Sequence, residues 1–163
     1  MVVNLDELLR SSELRHRELE AQGVYFLGDI SDEQAESFGR AILLMAEQRA
    51  AAHETDTDIT IYINSGGGSV GAGLAIIEMI YRVRHRFGVR VNTVVTGYAY
   101  SMGAVIVQAG DKRSMGTFST LMLHSPQWTL SGNDERIFSD YAGLANHYKR
   151  IIADLFAQRT CQH

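Results

Sequence analysis

Three short stretches hold residues whose types and spacing could do covalent chemistry. The first is Gly97-Tyr98-Ala99-Tyr100-Ser101-Met102-Gly103-Ala104. The strand-like run Val91-Asn92-Thr93-Val94-Val95-Thr96 leads into it, and the apolar run Ala104-Val105-Ile106-Val107 leads out. Ser101 is thereby placed where a strand turns into a helix. A serine there can be a nucleophile, a helix cap or both, and serine is a preferred N-cap residue. As a nucleophile it is weak until a neighbouring base accepts its proton. The second stretch is Ser65-Gly66-Gly67-Gly68-Ser69. Glycines between a strand end and a helix start expose backbone N–H groups that could hold an oxyanion or another anionic group. Taken alone, this loop reads more simply as a tight turn. The third is Leu121-Met122-Leu123-His124-Ser125-Pro126, in which His124 closes an apolar strand.

His124 is the candidate base by position. His16, His53, His85 and His163 fall in polar loops, helix ends or the tail, and His147 lies on a long helix. A lone strand-end histidine is more often structural than catalytic. A serine at a strand–helix junction, a second glycine-rich junction and that histidine together favour nucleophilic catalysis.

Other glycine-loop chemistries fail on their own terms. Gly66-Gly67-Gly68-Ser69-Val70-Gly71 matches G-x-G-x-x-G between a strand and a helix. A dinucleotide fingerprint also needs an acid at the end of the next strand. That strand ends at Thr96-Gly97. A P-loop needs Lys-Ser or Lys-Thr after the glycines, and none follows. No cofactor and no metal is expected. The α/β-hydrolase elbow G-x-S-x-G is disfavoured because Ala99 replaces its first glycine. Positions 101 and 124 are also only 23 apart, too close for that fold's Ser…Asp/Glu…His order.

The elements that must position these residues follow from periodicity. Residues 4–20 read as a charged helix, with Asn4 and Glu7 as a capping box and Glu13 to Glu20 as a solvated face. Val24 to Leu27 reads as a short strand. Ser31, with Gln34 three residues on, starts a helix to about Ala50, its apolar face being Ala35, Phe38, Ile42 and Met45. Asp58 to Asn64 is a β-branched and aromatic strand. The helix from Val70 to about Phe87 is apolar on most sides and hence buried, with Gly88 as its stop. After the serine stretch a helix runs to about Gly110. Arg113–Met115 and Thr120–Leu123 are short strands, and Gln127 to Leu130 is extended. A long amphipathic helix spans Asn133 to about Gln158, with Ile137, Tyr141, Leu144, Tyr148, Ile151 and Leu155 at three- and four-residue steps. Alternating strands and helices predict βαβ units and a mostly parallel α/β sheet.

Composition sets the class. The chain has 163 residues, 45% hydrophobic and 21% charged, with a formal net charge of −4. That balance suits one globular domain and points to neither nucleic acid nor an anionic membrane as partner. Cys161 is the only cysteine, so no internal disulfide or cysteine-based zinc site is available. No signal peptide and no bilayer-spanning run is read, and a cytoplasmic location is the expectation.

With these motifs in order and at matching spacing, the sequence over residues 24–162 resembles the Clp protease proteolytic subunit family, ClpP. The carriers are Ile61 to Val70, Gly97 to Ala104 and Leu121 to Pro126, with Tyr25-Phe26-Leu27-Gly28 resembling the family's start. The resemblance implies one ClpP/crotonase-like domain with a long protruding handle helix near 133–159, after an N-terminal segment over 1–22. It implies a serine endopeptidase with Ser101 as nucleophile, His124 as base and the N–H groups of Gly68 and Met102 as the oxyanion hole. It also implies heptameric rings stacked in pairs through the handle. An AAA+ unfoldase, which consumes the ATP, would deliver unfolded polypeptides to them.

The sequence departs from the family pattern in places. Gly66 stands where the family usually has proline, and the stretch around Arg82–Arg90 is a few residues longer. The N-terminal segment is unlike the family's axial-pore hairpin. The family's triad aspartate lies beyond the match to Thr160-Cys161-Gln162, so no residue here is expected to carry over as the triad acid. Asp111, Asp134, Asp140 and Asp154 are local substitutes, and a Ser–Lys dyad would need Lys112 or Lys149, the only lysines. The alternative function is a catalytically impaired, ClpP-like assembly or regulatory subunit. A crotonase-type acyl-CoA enzyme shares the fold, but the Ser101–His124 pairing and the short chain argue against it.

Overall fold

A computed structural model of the chain describes residues 5–52, 58–125 and 135–160, with residues 5–9 and 135–140 described by backbone only. The expected Asn4 cap, the extended run 127–130 and the start of the last helix at Asn133 lie outside the described residues.

Five strands form one sheet in which every pairing is parallel. They are β1 (Val24–Leu27), β2 (Ile59–Ser65), β3 (Val91–Tyr100), β4 (Arg113–Met115) and β5 (Thr120–Met122). The order is β1-β2-β3-β4, with β5 on the same strand, β3, as β4. Among the described residues five helices accompany them: α1 (Leu5–Ala21), α2 (Asp32–Ala51), α3 (Val70–Phe87), α4 (Met102–Val107) and α5 (Glu135–Thr160). This is the parallel α/β arrangement that the alternation of patterns predicted.

Alternation along β2 explains the core. Ile59, Ile61 and Ile63 are fully buried while Thr60 and Tyr62 are half-buried. Each such isoleucine contributes roughly 1.5–3 kcal/mol by leaving water. The opposite face is aromatic, where Phe26 stacks on Tyr62 with ring centroids 5.3 Å apart. Phe38, Ile42 and Met45 of α2 and Ile76, Ile80 and Val83 of α3 complete the core.

Helix ends follow local chemistry. The Ser31 hydroxyl accepts from the Gln34 N–H at 3.1 Å and starts α2. The Gln34 side chain does not close the capping box; it donates to the Tyr25 hydroxyl at 3.0 Å. Gly88, at φ 69°, ends α3 in the left-handed conformation that glycine adopts without strain.

Two boundaries differ from the periodicity reading by three residues or more. β3 continues through Gly97–Tyr100 to the residue before Ser101, and α4 ends at Val107 rather than near Gly110. The extension reflects pairing, because β5 lies against Tyr98, Ala99 and Tyr100. Propensity alone undervalues a glycine-containing end that a neighbouring strand holds.

β3 also bends just before its end. On one side the register passes from Ile63↔Val95 to Ser65↔Ala99. On the other it passes from Met115↔Val95 to Thr120↔Tyr98. The register shift against β2 and the change of partner from β4 to β5 therefore fall at the same level of β3. Asn64 Oδ1 accepts from the Tyr98 N–H at 3.1 Å at this bend. A Cβ on Gly97 would lie 2.4 Å from that oxygen, so any other residue there would displace the Asn64 side chain and its bond. Irregularities of this kind re-aim the chain near functional sites.

Candidate active site

Ser101 is the single residue between β3 and α4. A strand that becomes a helix with one intervening residue must reverse direction in one step. Ser101 does so at φ 51°, ψ −120°, and it is the only non-glycine with positive φ among the described residues. Holding a side-chain-bearing residue there costs on the order of 1–3 kcal/mol. Surrounding bonds enforce it. The Ser101 N–H donates to the Met122 carbonyl at 2.8 Å, and its carbonyl accepts from Ala104 N–H at 3.1 Å. Its hydroxyl makes no capping bond to α4. The side-chain cap reading therefore falls away, and among the described residues the hydroxyl has no hydrogen-bond partner.

α4 is buried along its whole length, from Met102 to Val107. Two glycines make room for it. A Cβ on Gly73 of α3 would fall 2.3 Å from Met102 Cγ, and one on Gly103 would lie 3.1 Å from Ser65 Cβ.

The glycine loop joins β2 to α3 and lies against the serine. A Cβ on Gly67 (φ 98°) would sit 2.7 Å from Ser101 Cβ and 3.2 Å from the Met102 nitrogen. On Gly68 (φ 142°) it would sit 2.1 Å from the Ile30 carbonyl oxygen. No other residue type fits either position without displacing backbone. The chain after β1 clamps the loop. Ile30 N–H donates to the Gly67 carbonyl at 2.8 Å, and Ser69 N–H donates to the Ile30 carbonyl at 2.9 Å. Asp29 Oδ1 accepts from Gly66 N–H at 2.8 Å, and Ser65 Oγ accepts from Gly67 N–H at 3.1 Å. Ser69 also caps α3 by accepting from Ala72 N–H. Three of the loop's four amides, at Gly66, Gly67 and Ser69, thus have acceptors. The Gly68 N–H has none among the described residues. Met102 N–H, at the first position of α4, has no intrahelical acceptor. Among the described residues neither of these two N–H groups has an acceptor; Met102 follows Ser101 directly, and Gly68 follows Gly67, which lies against Ser101.

His124 lies two residues beyond β5, and Ser101 one residue beyond β3. The register Tyr98↔Thr120, Ala99↔Leu121, Tyr100↔Met122 sets both at the carboxyl ends of adjacent parallel strands. Binding sites of open parallel sheets occur at such ends. The two side chains do not hydrogen-bond to each other here; His124 Nδ1 bonds to the Ser125 carbonyl at 2.8 Å. A carbonyl can only accept, so this bond assigns the donor role to Nδ1 and leaves Nε2 out of it.

His124 also lines a groove of about 400 Å³ with Leu123, Lys149, Ile152 and Phe156, so α5 forms one wall. Ile152 and Phe156 pack on the core beside buried Leu155, which seats the helix. Its end is tied down by Arg159, which donates to the Gly110 carbonyl, and by Arg113, which donates to the Arg159 carbonyl at 2.9 Å.

The other candidates separate. Asp111 pairs with Arg84 and accepts from Val91 N–H at 2.9 Å, at the opposite end of β3 from Ser101. Ten residues of strand put roughly 30 Å between them. Lys112 bonds Asn92 through its backbone at that same far end. Asp154 is exposed on α5. Asp134 lies outside the described residues, and the side chain of Asp140 is not described. Lys149 reaches the His124 groove, which its place in the sequence did not reveal. No group of three or more His, Cys, Asp or Glu side chains suited to a metal occurs among the described residues.

Comparison with known proteins covers nearly the whole chain. A family model described as Clp protease matches residues 6–163. The ATP-dependent Clp protease proteolytic subunit of Borreliella afzelii is 30% identical over 152 residues, spanning 92% of this chain and 72% of the relative. The corresponding subunit of Streptococcus agalactiae serotype V is 32% identical over 154 residues, 89% of this chain and 73% of the relative. Subunit 1 of Borreliella burgdorferi is 28% identical over 161 residues, 98% and 78% respectively.

Proposed function

The chain belongs to the Clp protease family, and from that premise we propose that it is a proteolytic subunit whose serine-peptidase centre is Ser101, His124 and the amides of Gly68 and Met102. The observation that carries the reading is Ser101 itself. It is a serine held at a strained dihedral between strand and helix, uncapped, with two open backbone donors beside it.

The chemistry follows from those parts. Ser101 Oγ attacks the carbonyl carbon of a peptide bond while His124 Nε2 takes the hydroxyl proton. Negative charge develops on the carbonyl oxygen, where the Gly68 and Met102 N–H groups receive it; one such donor is worth about 10²–10³ in kcat. The C–N bond breaks as His124 returns the proton to the leaving nitrogen. An acyl-Ser101 ester remains. Water, deprotonated by His124, then attacks the ester carbonyl; the C–Oγ bond breaks, His124 returns the proton to Ser101 Oγ, and the acid is released. The largely apolar groove beside His124 is the place for a substrate side chain.

The relatives are named as subunits of an ATP-dependent protease. We extend to this chain an oligomeric assembly, in stacked seven-membered rings, and an AAA+ partner that unfolds substrates and consumes the ATP. The chain itself takes no cofactor in this reading. Tyr141 and Leu144, exposed on α5, suit a helix that meets another subunit. A cytoplasmic location accords with there being, among the described residues, no helix long and apolar enough to cross a membrane.

A serine-directed phosphonate probe tests the centre. The folded, assembled protein is labelled at Ser101, and Ser101→Ala is not labelled. Absence of labelling on the folded wild type would overturn the assignment in favour of a non-catalytic subunit.

A further inference from the structure

Three consecutive glycines are the loosest backbone a loop can have. The Gly68 amide can serve as a fixed donor only if the peptides before it are held. Their restraints are few and specific. The Gly67 carbonyl and Ser69 N–H are held by the backbone of Ile30, and Gly67 N–H by Ser65 Oγ. The remaining restraint, on Gly66 N–H, is the carboxylate of Asp29 at 2.8 Å. It comes from 37 residues away in sequence.

Asp29 is well placed to act as a fixed point. Its side chain is exposed, yet its backbone lies between buried Leu27 and buried Ile30, and Ser31 immediately anchors α2. The tether therefore links the rigid exit of β1 to the entry of the glycine loop. Two residues further along lies the open Gly68 amide.

We propose that Asp29 is a positioning residue for the reaction: through the Gly66 N–H it orients the glycine loop so that the Gly68 amide meets the oxyanion formed at Ser101. This rests on the serine-peptidase reading, and it assigns no contact between Asp29 and substrate. Asp29→Ala removes the acceptor, Asp29→Asn keeps an acceptor oxygen without the charge, and Gly66→Pro removes the donor.

The experiment measures peptide-cleavage kinetics on the assembled protein, together with amide hydrogen exchange over residues 66–69, which needs no activity. Asp29→Ala is expected to lower kcat about 10-fold with KM within about twofold, as misorientation rather than lost binding would. Exchange at the Gly66 amide, which loses its acceptor, is expected to quicken. Asp29→Asn restores most of kcat. In a Gly66→Pro background, Asp29→Ala adds no further loss. Wild-type kcat and exchange in Asp29→Ala would overturn the proposal, as would losses that multiply in the double variant. If the wild type cleaves nothing but exchange still quickens in Asp29→Ala, the tether stands and the peptidase reading fails.

Discussion

The molecule makes two strand-to-helix turns side by side, and it builds them in opposite ways. Between β2 and α3 it uses Gly66, Gly67, Gly68 and Ser69, with the positive dihedrals on glycines. Between β3 and α4 it uses Ser101 alone and puts the positive dihedral on a residue with a side chain. The glycine turn avoids strain and spends conformational freedom, which Asp29, Ile30 and Ser65 then restrict. The serine turn accepts strain and gains a projecting hydroxyl. The difference shows where a side chain is needed and where only backbone N–H groups are. A cheaper residue at position 101 would be glycine, and its absence from the tightest turn is informative.

Substitutions that exchange the two solutions test this contrast. The largest effect is expected from Ser101→Ala, which should lower kcat for peptide cleavage at least about 10³-fold while leaving thermal stability nearly unchanged. Gly68→Ala comes next. Its Cβ would meet the Ile30 carbonyl oxygen at 2.1 Å, so the loop must move. A fall of about 10²-fold in kcat, with stability lower by roughly 1–3 kcal/mol in denaturant titration, is the expected outcome. Ser101→Gly sharpens the comparison from the other side. Relief of the dihedral should make it more stable than Ser101→Ala by about 1 kcal/mol, and equally inactive. Equal stability of the two would show that the turn is not strained.

The smallest effect lies away from both turns. Asp58 accepts from Arg90 Nε at 2.7 Å and from Asn92 Nδ2 at 2.9 Å, tying the start of β2 to β3. Partial burial pushes its carboxyl up, but the bonds from Asn92 and Arg90 outweigh that and hold it below its ordinary value. A depressed folded-state value means the stabilisation is present above the unfolded-chain value, near ~3.9, and is lost as pH falls through the folded one. Arg90 is largely exposed, which limits the contribution to under about 1 kcal/mol. Asp58→Asn should therefore lower Tm slightly at neutral pH, and the difference from wild type should vanish in acid.

Much of the scaffold was legible in the residue pattern for a definite reason. Alternation in Ile59–Ser65 and helical spacing in 70–87 report which faces leave water, and the elements appear at those places. The site was legible in part. Ser101, His124 and the glycines stood out because three strand-end motifs carry them together. The tether from Asp29 and the place of Lys149 at the His124 groove did not, because neither residue falls in a motif. Each acquires meaning only from a neighbour distant in sequence.

By itself, then, the sequence determined the alternation of strands and helices, the parallel α/β class and the three stretches that could carry chemistry. Those depend on local propensity and on which residues avoid water, and both are properties of short windows. Only the tertiary structure decided that Ser101 is a strained turn rather than a helix cap, since β5 and α4 hold its backbone from opposite sides. It alone set His124 beside that turn, through the register of β3 with β5. It alone showed Asp29 on Gly66, because a hydrogen bond across 37 residues leaves no trace in either segment's own pattern.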